Sequence, residues 1–273
     1  MFLNTLDFAL EADRTDPLRP FRERFYFPLV NGKEAIYFTG NSLGLQPKST
    51  QHYVLNELED WATYGVEGHF HARMPWFSYQ DFLTDQIAAL LGARPLEVVS
   101  MNSLTTNLHL LMISFYRPTK ERYKIICEYD AFPSDLYAVQ SQAAFHGFDP
   151  EAAVIYLKPR AGEVALRDED VIAAIREHGS SVATVMLGAV NYYTGQFFDL
   201  DRITKAAHEA GATCGYNLAH AAGNVPLKLH EWDVDYACFC SYKYLNAGPG
   251  GVSGIFVHER HAGDTSLPRL AGW

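Results

Sequence analysis

Beyond residue 97, short apolar segments alternate with longer amphipathic ones, and this alternation constrains the fold most. Segments of four or five residues rich in Val, Ile, Tyr and Cys predict strands, at 98–101, 124–127, 153–157, 183–187, 213–216, 236–240 and 254–257. Helices are predicted between them, at 105–115, 134–145, 168–177 and 201–210, with a short one after Leu218. Apolar strands separated by helices are typical of an α/β fold whose mostly parallel sheet carries helices on both faces.

The first part of the chain has a different pattern. Residues 1–35 carry three prolines among charged and aromatic residues, which indicates an arm that lies over the body of the protein. A short strand is predicted at 36–39, a helix after Pro47 and a second helix at 79–91. We therefore expect an N-terminal arm and helix over 1–65 and a large domain over 66–273.

Composition excludes several classes of partner. The 273 residues carry a formal net charge of −10, which argues against nucleic acid or an anionic membrane surface as the main partner. No apolar run approaches the ~20 residues that span a bilayer, and residues 1–20 are too charged for a signal peptide. Each cysteine lies in a predicted strand, which is typical of reduced core cysteines in a cytoplasmic protein: Cys127, Cys214, Cys238 and Cys240.

Polar side chains follow two neighbouring apolar segments where each ends. Lys243 follows strand 236–240 and enters a glycine-rich turn, while Asn217 and His220 follow strand 213–216. Burying an ammonium is costly, so Lys243 either extends to water or has its charge perturbed for chemistry. Taken alone, extension to water is the simpler reading. Because parallel strands present their carboxyl ends at one edge, the three residues favour a shared site.

Two further segments join a strand to a helix. Leu104 and Thr105 open the helix after strand 98–101, and Phe132 to Asp135 form the turn after strand 124–127. Helix N-termini bind phosphate, and Phe132 can stack on a flat ring, but each segment alone is more simply a helix cap. Metal motifs find no support, because His258 and His261 have the wrong spacing for a zinc protease and His69 and His71 lack partners.

Taken together, these segments resemble the kynureninases, a family of class V, fold type I pyridoxal-phosphate enzymes. The similar segments are 37–47, 101–111, 131–135, 193–196, 218–221 and 241–248, in the family's order. The resemblance implies a large domain of that fold, a cytoplasmic homodimer, and pyridoxal 5'-phosphate as cofactor. It also implies hydrolysis of L-kynurenine or 3-hydroxy-L-kynurenine to anthranilate or 3-hydroxyanthranilate and L-alanine, in tryptophan catabolism and NAD biosynthesis.

The same resemblance assigns roles to individual residues. Lys243 would form the Schiff base with the cofactor and would move protons between the substrate's α-carbon and the cofactor. Tyr242 would bind the phosphate and assist this proton transfer. The other cofactor-binding residues would be Leu104, Thr105, Phe132, Pro133, Ser134, Asp135, Asn217, His220 and Trp273. Ser42 and His69 would line the aryl end of the substrate, and no metal is expected.

The chain departs from the family at three points. Asn217 stands in place of an aspartate that keeps the pyridine nitrogen protonated, so we expect reduced turnover. Gly188 stands in place of a serine. The chain ends at Trp273, within a family motif, so a small C-terminal domain and its substrate-binding arginine would be missing.

Two alternatives stay open. One is another class V enzyme such as a cysteine desulfurase, which would need a mobile catalytic cysteine. The other is a non-catalytic protein of the same fold, retained for binding or dimerisation; Asn217 and the end of the chain at Trp273 support that alternative.

Overall fold

The N-terminal part of the chain lies outside the main sheet. The computed structural model describes residues 2–270, so the prediction for Trp273 lies outside the described residues. The elements before the sheet are α1 (Leu6–Thr15), β1 (Leu29–Val30), β2 (Lys33–Glu34), α2 (Thr50–Tyr64), α3 (Gly68–His71) and α4 (Thr84–Leu91). β1 and β2 form a small antiparallel hairpin.

Two predictions for this region need correction. The strand predicted at 36–39 is wrong: these residues are irregular, since Ile36 and Phe38 are 86% and 88% exposed and no described strand pairs with them. The helix predicted at 79–91 is α-helical only in its second half. Its first half is 3₁₀-helical, within a segment interrupted by the non-helical backbone of Ser78.

Seven strands form one sheet. They are β3 (Val98–Ser100), β4 (Lys124–Glu128), β5 (Val154–Leu157), β6 (Val182–Gly188), β7 (Thr213–Asn217), β8 (Tyr236–Phe239) and β9 (Gly254–Val257). Their spatial order is β3-β9-β8-β7-β6-β4-β5. The five strands from β8 to β5 run parallel, and β9 is antiparallel to both of its neighbours. The prediction of seven strands in a mostly parallel sheet is confirmed, to within one residue at each strand end.

Helices cover both faces of this sheet, as predicted. α5 (Leu104–Phe115) and α6 (Pro133–Phe145) share one apolar cluster with the strands. α7 (Pro150–Ala153) is a single turn before β5, and α8 (Asp168–His178) and α9 (Leu200–Glu209) share the cluster on the opposite face. The short helix predicted after Leu218 is wrong. The segment forms hydrogen-bonded turns that end at Gly223, whose φ of 78° is outside the helical region.

Alternate residues of each strand serve the two faces. In β4, Ile125 and Cys127 pack with α5 and α6, whereas Ile126 packs with α8 and α9. Burying one such side chain fully stabilises the fold by about 2 kcal/mol. All four cysteines are free and buried, which confirms them as core residues. Within residues 2–270, no helix combines the length and hydrophobicity needed to cross a membrane.

Candidate active site

A cavity of about 180 Å³ opens at the carboxyl edge of the parallel strands. Three strand ends line it, Glu128 of β4, Gly188 of β6 and Asn217 of β7, and Lys243 reaches it from the turn after β8. The four strands run in one direction, so their ends meet at a single edge.

Nine of the residues predicted to bind a cofactor surround this one cavity. They are Leu104, Thr105, Phe132, Ser134, Asp135, Asn217, His220, Tyr242 and Lys243. Pro133 is the first residue of α6 and is not among the lining side chains. Val190, Tyr192 and Ala219 also line the cavity, and sequence reasoning did not identify them.

The two residues predicted to contact a substrate lie elsewhere in the described structure. Ser42 is exposed and lies outside the cavity lining. Its turn nevertheless packs against the Lys243 segment, because the Gly44 N–H donates to the Tyr242 carbonyl at 2.8 Å. His69 is exposed on α3, where its ring lies 5.6 Å from that of Trp76. The structure therefore brings neither side chain into the cavity.

The amine of Lys243 is held by His220. Lys243 Nζ lies 2.8 Å from His220 Nε2. Burial, and then the positive charge of Lys243, lower the pKa of His220 to about 4, so the imidazole is neutral near pH 7 and accepts a hydrogen bond from the amine. Burial also lowers the pKa of Lys243. A lysine with a lowered pKa in a cavity is suited to attack a carbonyl carbon.

Asn217 and Asp135 form a buried polar pair beside this amine. Asn217 donates from Nδ2 to Asp135 Oδ2 and accepts the N–H of Ala219 at its Oδ1. Asp135 Oδ1 is buried and has no hydrogen-bond partner among the described residues. Burial raises the pKa of Asp135 to about 6, against the lowering effects of Asn217 and Lys243. An unpaired buried carboxyl oxygen is costly, so this atom is suited to accept a donor from a ligand.

The N-terminus of α5 forms another wall. Leu104 and Thr105 occupy its first turn and line the cavity. Ser103 precedes them but makes no side-chain capping bond, since its Oγ lies 3.0 Å from Thr106 Oγ1 instead. The first-turn N–H groups therefore keep their capacity to bind an anion such as phosphate.

Glu128 is a cavity residue that sequence reasoning missed. Both of its carboxyl oxygens accept from the Gly188 N–H, at 2.9 and 3.2 Å. Burial, and to a lesser degree the charge of Asp135, raise its pKa to about 7. The available signal was an acidic residue at the carboxyl end of an apolar strand, the same rule that identified Asn217.

A separate cluster meets the distance criterion for a metal site. Ligand atoms of Glu97, His230 and His258 lie within 4.8 Å of one another. These atoms are already engaged, because Glu97 Oε1 lies 2.9 Å from His230 Nδ1 and His258 Nδ1 accepts the Arg260 N–H. The arrangement is therefore explained by hydrogen bonding that ties β9 to the preceding segments.

Comparisons with known proteins agree with this geometry. Residues 36–272 match the family model for aminotransferase class-V, and the chain belongs to that family. A protein of Flavobacterium psychrophilum named kynureninase is 56% identical over 273 residues, which is 100% of this chain and 64% of that protein. Kynureninases of Myxococcus xanthus and Nematostella vectensis are 57% and 51% identical, with 64% and 60% of their lengths covered. The chain thus spans about 64% of the length of the first of these relatives.

Solved structures show the same fold. The cystine C-S lyase in complex with cysteine persulfide has a TM-score of 0.72 at 20% identity, covering 87% of this chain and 60% of that one. A cysteine desulfurase from Thermococcus onnurineus has a TM-score of 0.63 at 18% identity, covering 92% and 57%. The predicted fold class, that of fold type I pyridoxal-phosphate enzymes, is confirmed.

Proposed function

We propose that the chain is the cofactor-binding part of a pyridoxal-phosphate-dependent kynureninase, which hydrolyses L-kynurenine or its 3-hydroxy derivative. The observation that carries this proposal is the partly buried amine of Lys243, held by a neutral His220 in a cavity at the carboxyl edge of the sheet. Identity of more than half to proteins named kynureninase, over the whole chain, supports the choice of reaction.

The cavity fits the parts of pyridoxal phosphate. Lys243 supplies an amine for the aldehyde, and the N-terminus of α5 supplies N–H groups for the phosphate. Phe132 supplies an aromatic face, with its ring centroid 5.7 Å from Lys243 Nζ. The unpaired Asp135 Oδ1 and the Asn217 amide supply polar partners for the ring nitrogen. When bound, this cofactor withdraws electrons from bonds at the substrate's α-carbon, which makes the neighbouring carbon–carbon bond breakable.

Individual residues of the chain would then have separate roles in proton transfer and cofactor binding. Lys243, released by the substrate's amine, would take the proton from the α-carbon and return it later. His220 stays neutral and would keep the lysine amine directed into the cavity. Burial raises the pKa of Tyr242, so its hydroxyl stays protonated and would donate a hydrogen bond to the phosphate. Phe132 would cover the ring and limit the access of water.

The two alternatives have unequal support. Burial raises the pKa of Cys127, Cys214, Cys238 and Cys240, and all four thiols are buried, which does not suit a mobile catalytic cysteine. A non-catalytic binding protein is favoured by one specific observation, the neutral amide of Asn217 in the buried pair with Asp135. We retain it as the second candidate.

A cytoplasmic homodimer is part of the proposal. The free, buried cysteines support a reducing compartment. Val54, Leu58 and Trp61 lie on α2 and are exposed, which supports an apolar surface that a partner subunit would cover.

Borohydride trapping tests the proposal. The purified chain is incubated with pyridoxal phosphate, reduced and digested, and mass spectrometry locates the label, which we expect on Lys243. Lys243→Ala should lose the label, while Lys228→Ala, an exposed lysine paired with Glu231, should keep it. Anthranilate release from kynurenine is then followed by fluorescence. Label without release would favour the non-catalytic candidate, and an unlabelled Lys243 would refute the proposed function.

A further inference from the structure

Glu128 is a buried acid that neither hydrogen-bonds nor ion-pairs with a basic side chain in the described part of the chain. It is the last residue of β4 and is 4% exposed. Within residues 2–270, its carboxyl group has one hydrogen-bond donor, the Gly188 N–H, which both oxygens share. A Cβ atom at Gly188 would lie 2.8 Å from Glu128 Oε1, so the glycine leaves the space that the carboxyl group occupies.

Glu128 lines two cavities. One is the cavity that contains Lys243. The other is a second cavity of about 390 Å³. Tyr129, Val164 and Tyr193 are exposed and form part of its wall, so this second cavity is open to solvent. A ligand that fills the first cavity would displace its water, and the second would still supply water to Glu128.

The charges around Glu128 are unequal in the two cavities. The titratable groups that line the first cavity with it are Asp135, Tyr192, His220, Tyr242 and Lys243. Those that line the second are Tyr129, Asp130, Lys158, Glu163 and Tyr193, and Cys127 precedes it on its own strand. Burial and the charge of Asp135 raise the pKa of Glu128 to about 7, so the group can both hold and release a proton near neutral pH.

We propose that Glu128 is a proton-exchanging residue that connects the Lys243 cavity with the solvent-filled second cavity. The O–H bond of Glu128 breaks as its proton moves to an acceptor in the first cavity. The carboxylate then takes a proton from water in the second cavity, and bulk buffer neutralises the hydroxide. The inference rests on the proposed function, in which Lys243 holds a proton while substrate fills the first cavity; Glu128 would let that proton exchange with solvent before it is returned.

The first test needs no cofactor. Infrared difference spectra of the ligand-free chain between pH 5 and 9 should show a protonated buried carboxyl that titrates around pH 7. Glu128→Gln should lose this component, because the amide still accepts the Gly188 N–H but cannot titrate. Asp60→Asn, which changes a buried acid paired with Arg73 on another part of the molecule, should retain it. Burial also raises the pKa of Asp135 to about 6, so a second carboxyl component should remain near that pH in every variant. Persistence of the component near pH 7 in Glu128→Gln would overturn the proposal.

The second test uses the chain loaded with pyridoxal phosphate. L-Alanine is incubated with it in D₂O, and exchange of the α-hydrogen is followed by NMR. Glu128→Gln should slow exchange about tenfold or more, within the range that a positioned proton-transfer group contributes, with cofactor absorbance unchanged. Glu128→Asp, which restores a titratable group, should recover part of the rate. Exchange at the unsubstituted rate in Glu128→Gln would refute the inference.

Failure of the proposed function looks different. It would appear as the absence of covalent label on Lys243 in the unsubstituted chain. The infrared titration would still decide whether Glu128 exchanges protons near neutral pH.

Discussion

Asn217 presents its amide nitrogen to Asp135 Oδ2 and its amide oxygen to the Ala219 N–H, so two hydrogen bonds fix the orientation of this buried amide. Neither atom is free to rotate into the other's place without losing both bonds. The amide therefore offers a donor, and not a negative charge, on the side of Asp135.

Asn217→Asp should destabilise the cofactor-free chain and increase turnover of the loaded chain. Two buried carboxyl groups would face each other, and the lost donor should cost about 1–3 kcal/mol above pH 7. With cofactor bound, the added negative charge should keep the pyridine nitrogen protonated. Melting temperatures with and without pyridoxal phosphate, and the rate of anthranilate release, measure the two effects.

The matched control for that substitution is Asn56→Asp, which changes a partly exposed asparagine on α2. It should leave the melting temperature within a few degrees and the rate unchanged. Equal melting of Asn217→Asp and the parent chain would contradict the donor role of the amide. An unchanged rate and ring-nitrogen protonation would contradict the expected gain in turnover.

Gly188→Ala should destabilise the fold through Glu128. The added methyl group would lie 2.8 Å from Glu128 Oε1, so the buried carboxyl must move, at about 1–3 kcal/mol. In a Glu128→Ala background the same change should cost less, by more than about 0.5 kcal/mol. Urea unfolding of the parent chain, Gly188→Ala, Glu128→Ala and the double variant gives this coupling free energy. Gly40→Ala is the control, because a Cβ there meets nothing within 4 Å. If the free-energy costs of Gly188→Ala and Glu128→Ala simply add in the double variant, the contact between residues 188 and 128 would be disproved.

Glu128→Gln should change the pH dependence of stability. Burial raises the pKa of Glu128 from 4.5 to about 7, so its contribution is fully present below pH 4.5 and is lost as the pH rises through 7. Relative to the parent, the variant should therefore gain about 2–3 kcal/mol between pH 4.5 and 8. Urea unfolding at several pH values measures this gain. Glu231→Gln, on the surface, should show no such gain. If the stability of Glu128→Gln varied with pH in the same way as that of the parent chain, the raised pKa of Glu128 would be refuted.

Asp235→Asn should destabilise the β8–β9 end of the sheet without changing the cavity. Burial alone would raise the pKa of Asp235, but hydrogen bonds from His208, His261 and the Cys214 N–H outweigh it and lower the pKa. The carboxylate also pairs with Arg260, so its loss should cost about 3–5 kcal/mol.

The pH dependence of this contribution has the opposite sign to that of Glu128. Because the folded pKa of Asp235 is lowered, the contribution is present above about pH 3.8 and is lost as the pH falls through the folded pKa. Thermal unfolding at pH 7 and pH 3 measures it. Asp233→Asn, an exposed acid that contacts the same arginine, should cost about 1 kcal/mol or less. Equal costs for the two variants would contradict the argument.

Most of the fold follows from the sequence because the strands are short apolar segments and those from β3 to β7 alternate with helices. The same criterion failed at Ile36 and Phe38, which are apolar but which no strand of the described residues pairs with. Local pattern contains no information about the presence of a pairing partner.

Most residues around the candidate site were also predicted from their positions along the sequence. Strand ends of a parallel sheet share one edge, which was enough to bring Lys243, Asn217 and His220 together. Glu128 was missed because an acidic residue at the end of a strand is ordinarily solvated. The hydrogen bond from Lys243 to His220 and the orientation of the Asn217 amide depend on side-chain geometry, which residue spacing does not specify.

The position of β9 has a consequence for the order of folding. Among the described strands β3 pairs only with β9, and Val98 lies opposite Phe256. β3 can therefore join the sheet only after nearly the whole described chain is available. Closing so long a loop is slow. During synthesis, the start of α5, which follows β3 directly, would be among the last parts positioned, and amides of β3 should gain protection late in pulse-labelling hydrogen exchange. Until then, Asp135 and Asn217 would already lie at the carboxyl edge of the parallel strands. The N-terminus of α5, which is suited to bind phosphate, would not yet be in place.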